Sequence, residues 1–271
     1  MKKASLLLSF LLLSGIAFSA RVDTVNVFSK VMNKNIKTVT ILPDGYDDHH
    51  ALPVLYLLHG YGGNYADWVN RVPAVQELAD RYSMIVICPD GGVGSWYWDS
   101  EVDKEFQYET FVAKELVAWV DSEFNTRENR QSRAITGLSM GGHGALYLAM
   151  RHQDVFGAGG SMSGGVDIRP FPLRWDMAKR LGSYAENPAS WESHTVINQV
   201  HLLTPGSLEL LIDCGTEDFF YGVNERLHDR LLERNIPHSY IVRPGAHNWD
   251  YWKEAIHYQM LFMHRYFEKT T

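Results

Sequence analysis

The chain has 271 residues, 45% of them hydrophobic, and a formal net charge of −7 at pH 7. That length suits one α/β domain with a sizeable apolar core. An acidic balance without a basic run argues against nucleic acid as a partner. Cys88 and Cys214 each end an apolar run, so we expect two buried thiols and no disulfide bridge.

The first twenty residues are predicted to be a signal peptide. Lys2 and Lys3 form a basic region, residues 6–13 form an apolar run, and residues 17–20 offer small side chains for cleavage. The apolar run is too short to span a membrane. A lipid anchor is not indicated, because no cysteine lies near the cleavage site. We therefore expect an exported protein without a stable membrane anchor, with a single domain over residues 21–271.

Beyond the signal peptide, apolar periodicity predicts alternating strands and helices. An antiparallel pair is predicted at residues 22–27 and 37–42. Unbroken apolar runs, typical of strands covered on both faces, follow at 54–58, 84–88, 134–136, 208–212 and 240–242. Helical patterns lie at 74–82, 108–124, 145–152, 223–235 and 249–267. This order indicates an α/β fold, with a mostly parallel sheet, helices on both faces and a small helical insertion near residues 165–205.

One motif carries a clear chemical signal. Gly137-Leu-Ser-Met-Gly141 is a G-x-S-x-G match between a β-prone run and a helical one, which is the strand–turn–helix setting of a nucleophile elbow. The serine backbone is strained in such a turn, and glycines flank it because a Cβ there would collide with neighbouring backbone. The motif arises often by chance in a chain with 22 glycines, so Ser139 needs partners elsewhere.

A serine nucleophile requires a histidine base and a carboxylate that orients it, and after a nucleophile elbow the acid precedes the histidine. The loop after residues 208–212 offers Asp218, which we favour as the acid, and Glu217, which competes with it. Asp213 is expected to lie within the strand. His247 lies in the loop after the last predicted strand, where the base is required.

The chain has twelve histidines, and we favour His247 because of its position in the sequence. His59 is expected to have a structural role in a turn, His143 to pack under the elbow, and residues 49–50 to form a surface turn. We find no spacing typical of a metal site. The backbone amides of Met140 and Tyr61 are predicted to form the oxyanion hole, because one follows the nucleophile and the other lies in a glycine-rich loop after an early strand.

A loop rich in glycine and aromatic residues follows the run at 84–88. Gly92 and Gly94 lack the third glycine of a dinucleotide-binding loop, so no such cofactor is expected. Trp96 and Tyr97 are predicted to bind substrate together with Trp249, because aromatic rings stack on flat groups such as phenyl rings and sugars. Core packing is an equally supported interpretation of Trp96 and Tyr97.

These segments together resemble the esterase D / antigen 85-like family of α/β-hydrolases, which includes S-formylglutathione hydrolases, mycolyltransferases, tributyrin esterases and feruloyl or acetylxylan esterases. The resemblance begins near residue 22 and rests on five segments in the right order: 56–60, 89–92, 137–142, 213–218 and 245–249. It implies an α/β-hydrolase fold with Ser139, Asp218 and His247 as a catalytic triad. The signal peptide departs from the cytosolic S-formylglutathione hydrolases, and nothing marks the long acyl groove of a mycolyltransferase.

The residues and the resemblance predict an exported serine carboxylic ester hydrolase that acts through an acyl-enzyme, without a metal or cofactor. The expected substrates are small-molecule or polysaccharide-linked esters of short-chain or hydroxycinnamoyl acids; a plant polysaccharide carrier is suggested by family and export alone. Two alternatives stay open: acyl transfer of the mycolyltransferase type, and glycan binding by a non-catalytic hydrolase scaffold. The sequence does not determine the acyl group, the leaving alcohol or the oligomeric state.

Overall fold

The computed structural model describes residues 20–269. The predicted signal peptide lies outside the described residues except for Ala20. In the described part of the chain, eight strands form one sheet. They are β1 (Arg21–Ser29), β2 (Lys34–Leu42), β3 (Val54–Leu58), β4 (Ile85–Pro89), β5 (Arg133–Gly137), β6 (Ala158–Met162), β7 (Glu209–Gly215) and β8 (Ser239–Arg243).

The strands lie in the order β1-β2-β4-β3-β5-β6-β7-β8. β2 pairs antiparallel with both β1 and β4, and all the other pairings are parallel. The predicted antiparallel pair is confirmed, and each of the five apolar runs forms a strand. Four of these strands are buried as predicted. The expectation is wrong for residues 240–242, because β8 lies at the edge of the sheet and its residues are half-buried or exposed. Because β5, β7 and β8 run in the same direction, the loops that follow them meet at one edge of the sheet, where such folds bind ligands.

Helices cover both faces and form two apolar cores. One face carries α2 (Ala74–Tyr82) and α10 (Trp249–Lys269). The other carries α5 (Met140–Arg151), α9 (Tyr221–Glu233) and a continuous helical segment made of α3 (Tyr108–Thr110), a π-helical stretch (Phe111–Leu116) and α4 (Val117–Glu123). The shorter elements are α1 (Asp67–Arg71), α6 (Ala178–Leu181), α7 (Pro188–Ser193), α8 (Val196–Gln199) and the 3₁₀ turns Arg130–Ser132 and Val200–Leu202. The insertion expected near residues 165–205 is thus a set of short helices.

Sequence patterning misses β6. This strand reads Ala-Gly-Gly-Ser-Met, without the β-branched or aromatic residues that mark a strand. Its glycines let helices approach the sheet on both sides. A Cβ at Gly159 would lie 2.8 Å from the Ala149 side chain in α5, and one at Gly160 would lie 2.0 Å from the Gln259 side chain in α10.

Two further expectations concern cysteines and membranes. Cys88 and Cys214 are both buried and unpaired, which confirms the prediction of two buried thiols. Burial raises the pKa of each thiol above its usual value. Within residues 20–269, no helix has the length and apolar character that a membrane span requires.

Candidate active site

Ser139 lies in the turn between β5 and α5, where the backbone is strained. Its φ of 55° and ψ of −116° fall outside the regions that residues with a side chain favour. A Cβ at Gly137 would lie 2.7 Å from the Gly141 carbonyl, and one at Gly141 would lie 2.6 Å from the carbonyl oxygens of Leu58 and His59. The elbow geometry and the need for both flanking glycines are therefore confirmed.

Ser139, His247 and Asp218 form one line of hydrogen bonds. His247 Nε2 is 2.8 Å from Ser139 Oγ, and His247 Nδ1 is 2.8 Å from Asp218 Oδ2. Because a carboxylate accepts at Nδ1, that nitrogen carries the proton, and Nε2 is left to accept the serine hydroxyl. The structure thus brings together three side chains from the elbow, the loop after β7 and the loop after β8.

The loop after β7 presents one of its two candidate acids to the histidine. The Asp218 side chain is fully buried, and its Oδ1 also accepts the Phe220 amide at 2.8 Å. The Glu217 side chain is exposed, and its backbone amide donates to the Gly245 carbonyl at 2.9 Å. The geometry favours Asp218 as the partner of His247.

A buried network anchors the loop that carries His247. Asp213 lies within β7, as expected, where its carboxylate accepts hydrogen bonds from Tyr251 Oη and, at 3.1 Å, from Arg243 Nη2. Burial raises the pKa of Asp213, although the hydrogen bond from Tyr251 and the charge of Arg243 oppose the shift. The Tyr251 ring packs on Gly245, where a Cβ would lie 2.4 Å from it. The loop is therefore fixed by the strand before it and the helix after it.

The loop after β3 lies directly against the elbow. A Cβ at Gly60 would lie 3.4 Å from Ser139 Cβ, and Tyr61 lines the same cleft as Ser139. Met140 is the first residue of α5, so its amide is one of the N–H groups that a helix leaves unpaired at its start. Within residues 20–269, neither the Tyr61 amide nor the Met140 amide has an intramolecular acceptor. Both are free to bind a substrate oxygen.

Two histidines near the elbow are buried and hydrogen-bonded. His59 Nε2 accepts the Gly91 amide at 2.7 Å. His143 Nε2 accepts the indole N–H of Trp98 at 2.9 Å, while its Nδ1 donates to the Gly165 carbonyl at 2.8 Å. Burial lowers the pKa of His143 to about 3, so its ring is neutral at physiological pH. The structural roles expected of both histidines are confirmed.

The prediction that Trp96 and Tyr97 bind substrate is wrong, and the alternative interpretation, core packing, is correct. Both have positive φ, 56° and 61°, and their side chains turn into the core, with 1% and 0% exposed. The Trp96 ring stacks on Trp98 and donates from Nε1 to the Trp175 carbonyl at 3.1 Å. Tyr97 Oη donates to the His59 carbonyl at 3.1 Å. Both residues support the cleft from beneath, and neither can contact a substrate.

The cleft itself has a volume of about 370 Å³ and opens onto Ser139 and His247. Its other lining residues are Gly60, Tyr61, Gly62, Gly63, Asp67, Arg71, Leu138, Trp175, Phe219, Trp249 and Trp252. Trp249 therefore lies where sequence analysis predicts, at the site. The structure adds Trp175 and Phe219, whose rings stack with centroids 5.7 Å apart and an interplanar angle of 18°.

The Trp175–Phe219 pair lies beside His247. The Phe219 ring centroid is 4.3 Å from that of His247, and half of the Phe219 side chain is exposed. Phe219 adjoins Asp218, so an aromatic residue next to the predicted acid is a signal that sequence analysis passes over. Trp175 lies in the irregular insertion, where no periodic pattern indicates which way its side chain points.

His49 and His50 lie in an exposed turn, as expected. Across residues 20–269, no three or more His, Cys, Asp or Glu side chains are grouped so that they could hold a metal ion.

Comparison with known proteins agrees with this geometry. The Esterase family model matches residues 29–263. The chain is 30% identical over 252 residues to an acetyl esterase of Caldicellulosiruptor saccharolyticus, covering 86% of this chain and 94% of that protein. It is 26% identical over 269 residues to diacylglycerol acyltransferase/mycolyltransferase Ag85B of Mycobacterium leprae, covering 85% and 80%. Among solved structures it is similar to a ferulic acid esterase, with a TM-score of 0.80, 29% identity and coverage of 92% and 99%.

The sheet order and the structural neighbours confirm the α/β-hydrolase fold that the motifs lead us to expect. The family match covers the elbow, both loops that meet it and the glycine-rich loop after β3. The resemblance drawn from five short segments is therefore confirmed. This chain belongs to the Esterase family and is a carboxylic ester hydrolase.

Proposed function

We propose that the enzyme cleaves its ester through an acyl-enzyme formed on Ser139. The unbroken line of hydrogen bonds from Ser139 Oγ through His247 to Asp218 supports this proposal most strongly. Ser139 Oγ attacks the carbonyl carbon while His247 Nε2 takes the serine proton, and His247 then protonates the leaving alcohol oxygen. Asp218 orients the ring and stabilises its charged form. Water repeats the two steps, which releases the acid and restores Ser139.

The carbonyl oxygen gains negative charge in both steps. We assign its stabilisation to the amides of Tyr61 and Met140, which have no acceptor within residues 20–269. The start of α5 adds the partial positive charge of a helix N-terminus. Donors that are already in place need no rearrangement during the reaction, and a single donor of this kind contributes about 10²–10³ to the rate.

The proposed acyl groups are short-chain or hydroxycinnamoyl. The cleft volume of about 370 Å³ is near the lower end for ligand pockets. The stacked Trp175 and Phe219 rings offer a flat apolar face to an aromatic acyl group, which is the role that the sequence predicts for Trp96 and Tyr97. The acetyl esterase and ferulic acid esterase relatives bear names that fit this range. Export, proposed from the signal peptide, would give the enzyme access to esters on plant polysaccharide.

Acyl transfer is a second candidate, favoured by the similarity to Ag85B. Transfer uses the same acyl-enzyme, with an alcohol in place of water. An assay that measures free acid and new ester while the alcohol concentration is varied distinguishes the two outcomes. A non-catalytic glycan-binding role is not supported by the fully formed line of hydrogen bonds.

Replacement of the nucleophile tests the proposal. We expect Ser139→Ala to abolish turnover of p-nitrophenyl acetate and to prevent labelling by a fluorophosphonate, with the melting temperature nearly unchanged. Ser122→Ala, at an exposed serine, is the matched control and should retain both. Substantial turnover by Ser139→Ala would refute the assignment. A panel of p-nitrophenyl butyrate, methyl ferulate and acetylated xylan then determines the preferred acyl group and carrier.

A further inference from the structure

One side of the cleft carries charge that the proposed reaction does not use. The short helix α1 contributes Asp67 and Arg71 to the lining, next to Trp249. The Arg71 guanidinium lies over the Trp249 ring, 5.1 Å from its centroid. Trp249 follows His247 by two residues, and Arg71 lines the same cleft as both.

The hydrogen-bonding capacity of Arg71 is almost entirely unused. A guanidinium has five N–H donors in a planar fork. Arg71 Nε is 3.6 Å from Asp67 Oδ1, which is too long for a hydrogen bond, and within residues 20–269 its fork meets no other acceptor. Trp249 lies on one side of the guanidinium, and 54% of the Arg71 side chain remains exposed.

Asp67 is the less exposed of the two charged groups. Its side chain is 15% exposed, against 54% for Arg71. Its Oδ2 accepts the Asn64 amide at 3.3 Å, so this carboxylate also serves the loop after β3. Arg71 is therefore the more accessible charge to a bound molecule, and its contact with Trp249 limits the side-chain freedom that binding would have to remove.

We propose that Arg71 makes the enzyme selective for esters that carry a carboxylate, and that its guanidinium pairs with that group in the bound substrate. The inference rests on the proposed function of the same cleft. A planar fork matches a carboxylate with two parallel hydrogen bonds. The carboxylate has two possible sources: the acyl part, as in the hemiester of a dicarboxylic acid, or the alcohol part, as in an acidic sugar.

Matched ester pairs test this selectivity and identify the source. For the acyl part, kcat/KM is compared between p-nitrophenyl hemisuccinate and p-nitrophenyl butyrate. For the alcohol part, it is compared between 4-acetoxybenzoate and 4-acetoxybenzamide. We expect Arg71→Gln to lower the charged-to-neutral ratio about tenfold in one of the two pairs, the scale of a charge-assisted hydrogen bond. Arg71→Lys, which keeps the charge and loses the fork, should recover part of the ratio.

Arg234→Gln is the matched control, because this arginine is exposed and lies outside the cleft. It should leave both ratios unchanged. If Arg71→Gln changes neither ratio, or lowers charged and neutral substrates equally, the inference is overturned. In that case the proposed function still stands, provided that the unsubstituted enzyme cleaves p-nitrophenyl butyrate and the Ser139→Ala variant does not. If the unsubstituted enzyme cleaves none of the four esters, the proposed function fails, and this inference fails with it.

Discussion

Asp218 and Glu217 are neighbours in one loop, yet only the buried carboxylate reaches the ring of His247. We expect Asp218→Asn to lower kcat by about 10⁴, because an amide cannot hold the imidazole tautomer that accepts the serine proton. Glu217→Gln should change kcat by about twofold or less, since its exposed side chain only loses a solvated charge. Steady-state kinetics with p-nitrophenyl acetate measures both. The opposite order of effects would assign the acid to Glu217.

His143 makes the stability of the fold depend on pH. Burial lowers the pKa of His143 to about 3 in the folded chain, against an ordinary value of 6.5. Between these values the unfolded chain binds the extra proton, so the stability that the neutral ring contributes above pH 6.5 is lost as pH falls. By pH 5 the loss is about 2 kcal/mol.

Urea unfolding at pH 7 and pH 5 measures this loss. We expect His143→Gln, which retains a donor and an acceptor but does not titrate, to lose less stability between the two pH values than the unsubstituted protein. His201→Gln, at an exposed histidine, should behave as the unsubstituted protein does. Equal losses in all three proteins would contradict the assignment.

At the scale of elements, two aromatic positions beside the cleft should respond differently to truncation. Trp96 is 1% exposed, so Trp96→Ala leaves a cavity and should cost about 3–5 kcal/mol of stability. It should lower kcat/KM for methyl ferulate and p-nitrophenyl acetate by the same factor. Phe219 is 54% exposed, so Phe219→Ala should change the melting temperature little and lower the ferulate-to-acetate ratio by up to about tenfold.

Both variants are assayed with both substrates, and their melting temperatures are compared. A change in the substrate ratio with Trp96→Ala, at an unchanged melting temperature, would show that the buried ring shapes the acyl site. An unchanged ratio with Phe219→Ala would remove the stacked pair from the acyl site.

The elements that the sequence predicts correctly are those whose own residues carry the signal. The unbroken apolar run of β3 is recognised at its exact bounds, as is the amphipathic helix α2. Strand β6 is not predicted, because its glycines are explained only by close packing against Ala149 and Gln259, which lie in two helices distant in sequence. Trp96 and Tyr97 are misjudged because two consecutive positive φ angles bury them, and neither residue type favours that conformation.

At the scale of the whole molecule, sheet order separates the two cysteines. Cys88 lies on β4 and Cys214 on β7, with β3, β5 and β6 between them. Four strand spacings correspond to about 19 Å, far beyond the reach of a disulfide. We therefore expect a reducing agent to leave the melting temperature unchanged. Ellman's reagent should find two thiols in the unfolded protein and none in the folded one. Reaction of the native protein would show that a cysteine strand opens locally.

The line of hydrogen bonds at the site joins residues that are far apart along the chain. Ser139 precedes His247 by 108 residues, and Asp218 precedes His247 by 29. At a translation rate of about 5–20 residues per second, the serine leaves the ribosome roughly 5 to 20 s before its base. A nascent chain that stops short of β8 and α10 holds the elbow sequence but lacks His247, the base that we propose for the reaction. Labelling by a fluorophosphonate during synthesis would therefore report when β8 has paired with the sheet and α10 has packed against it.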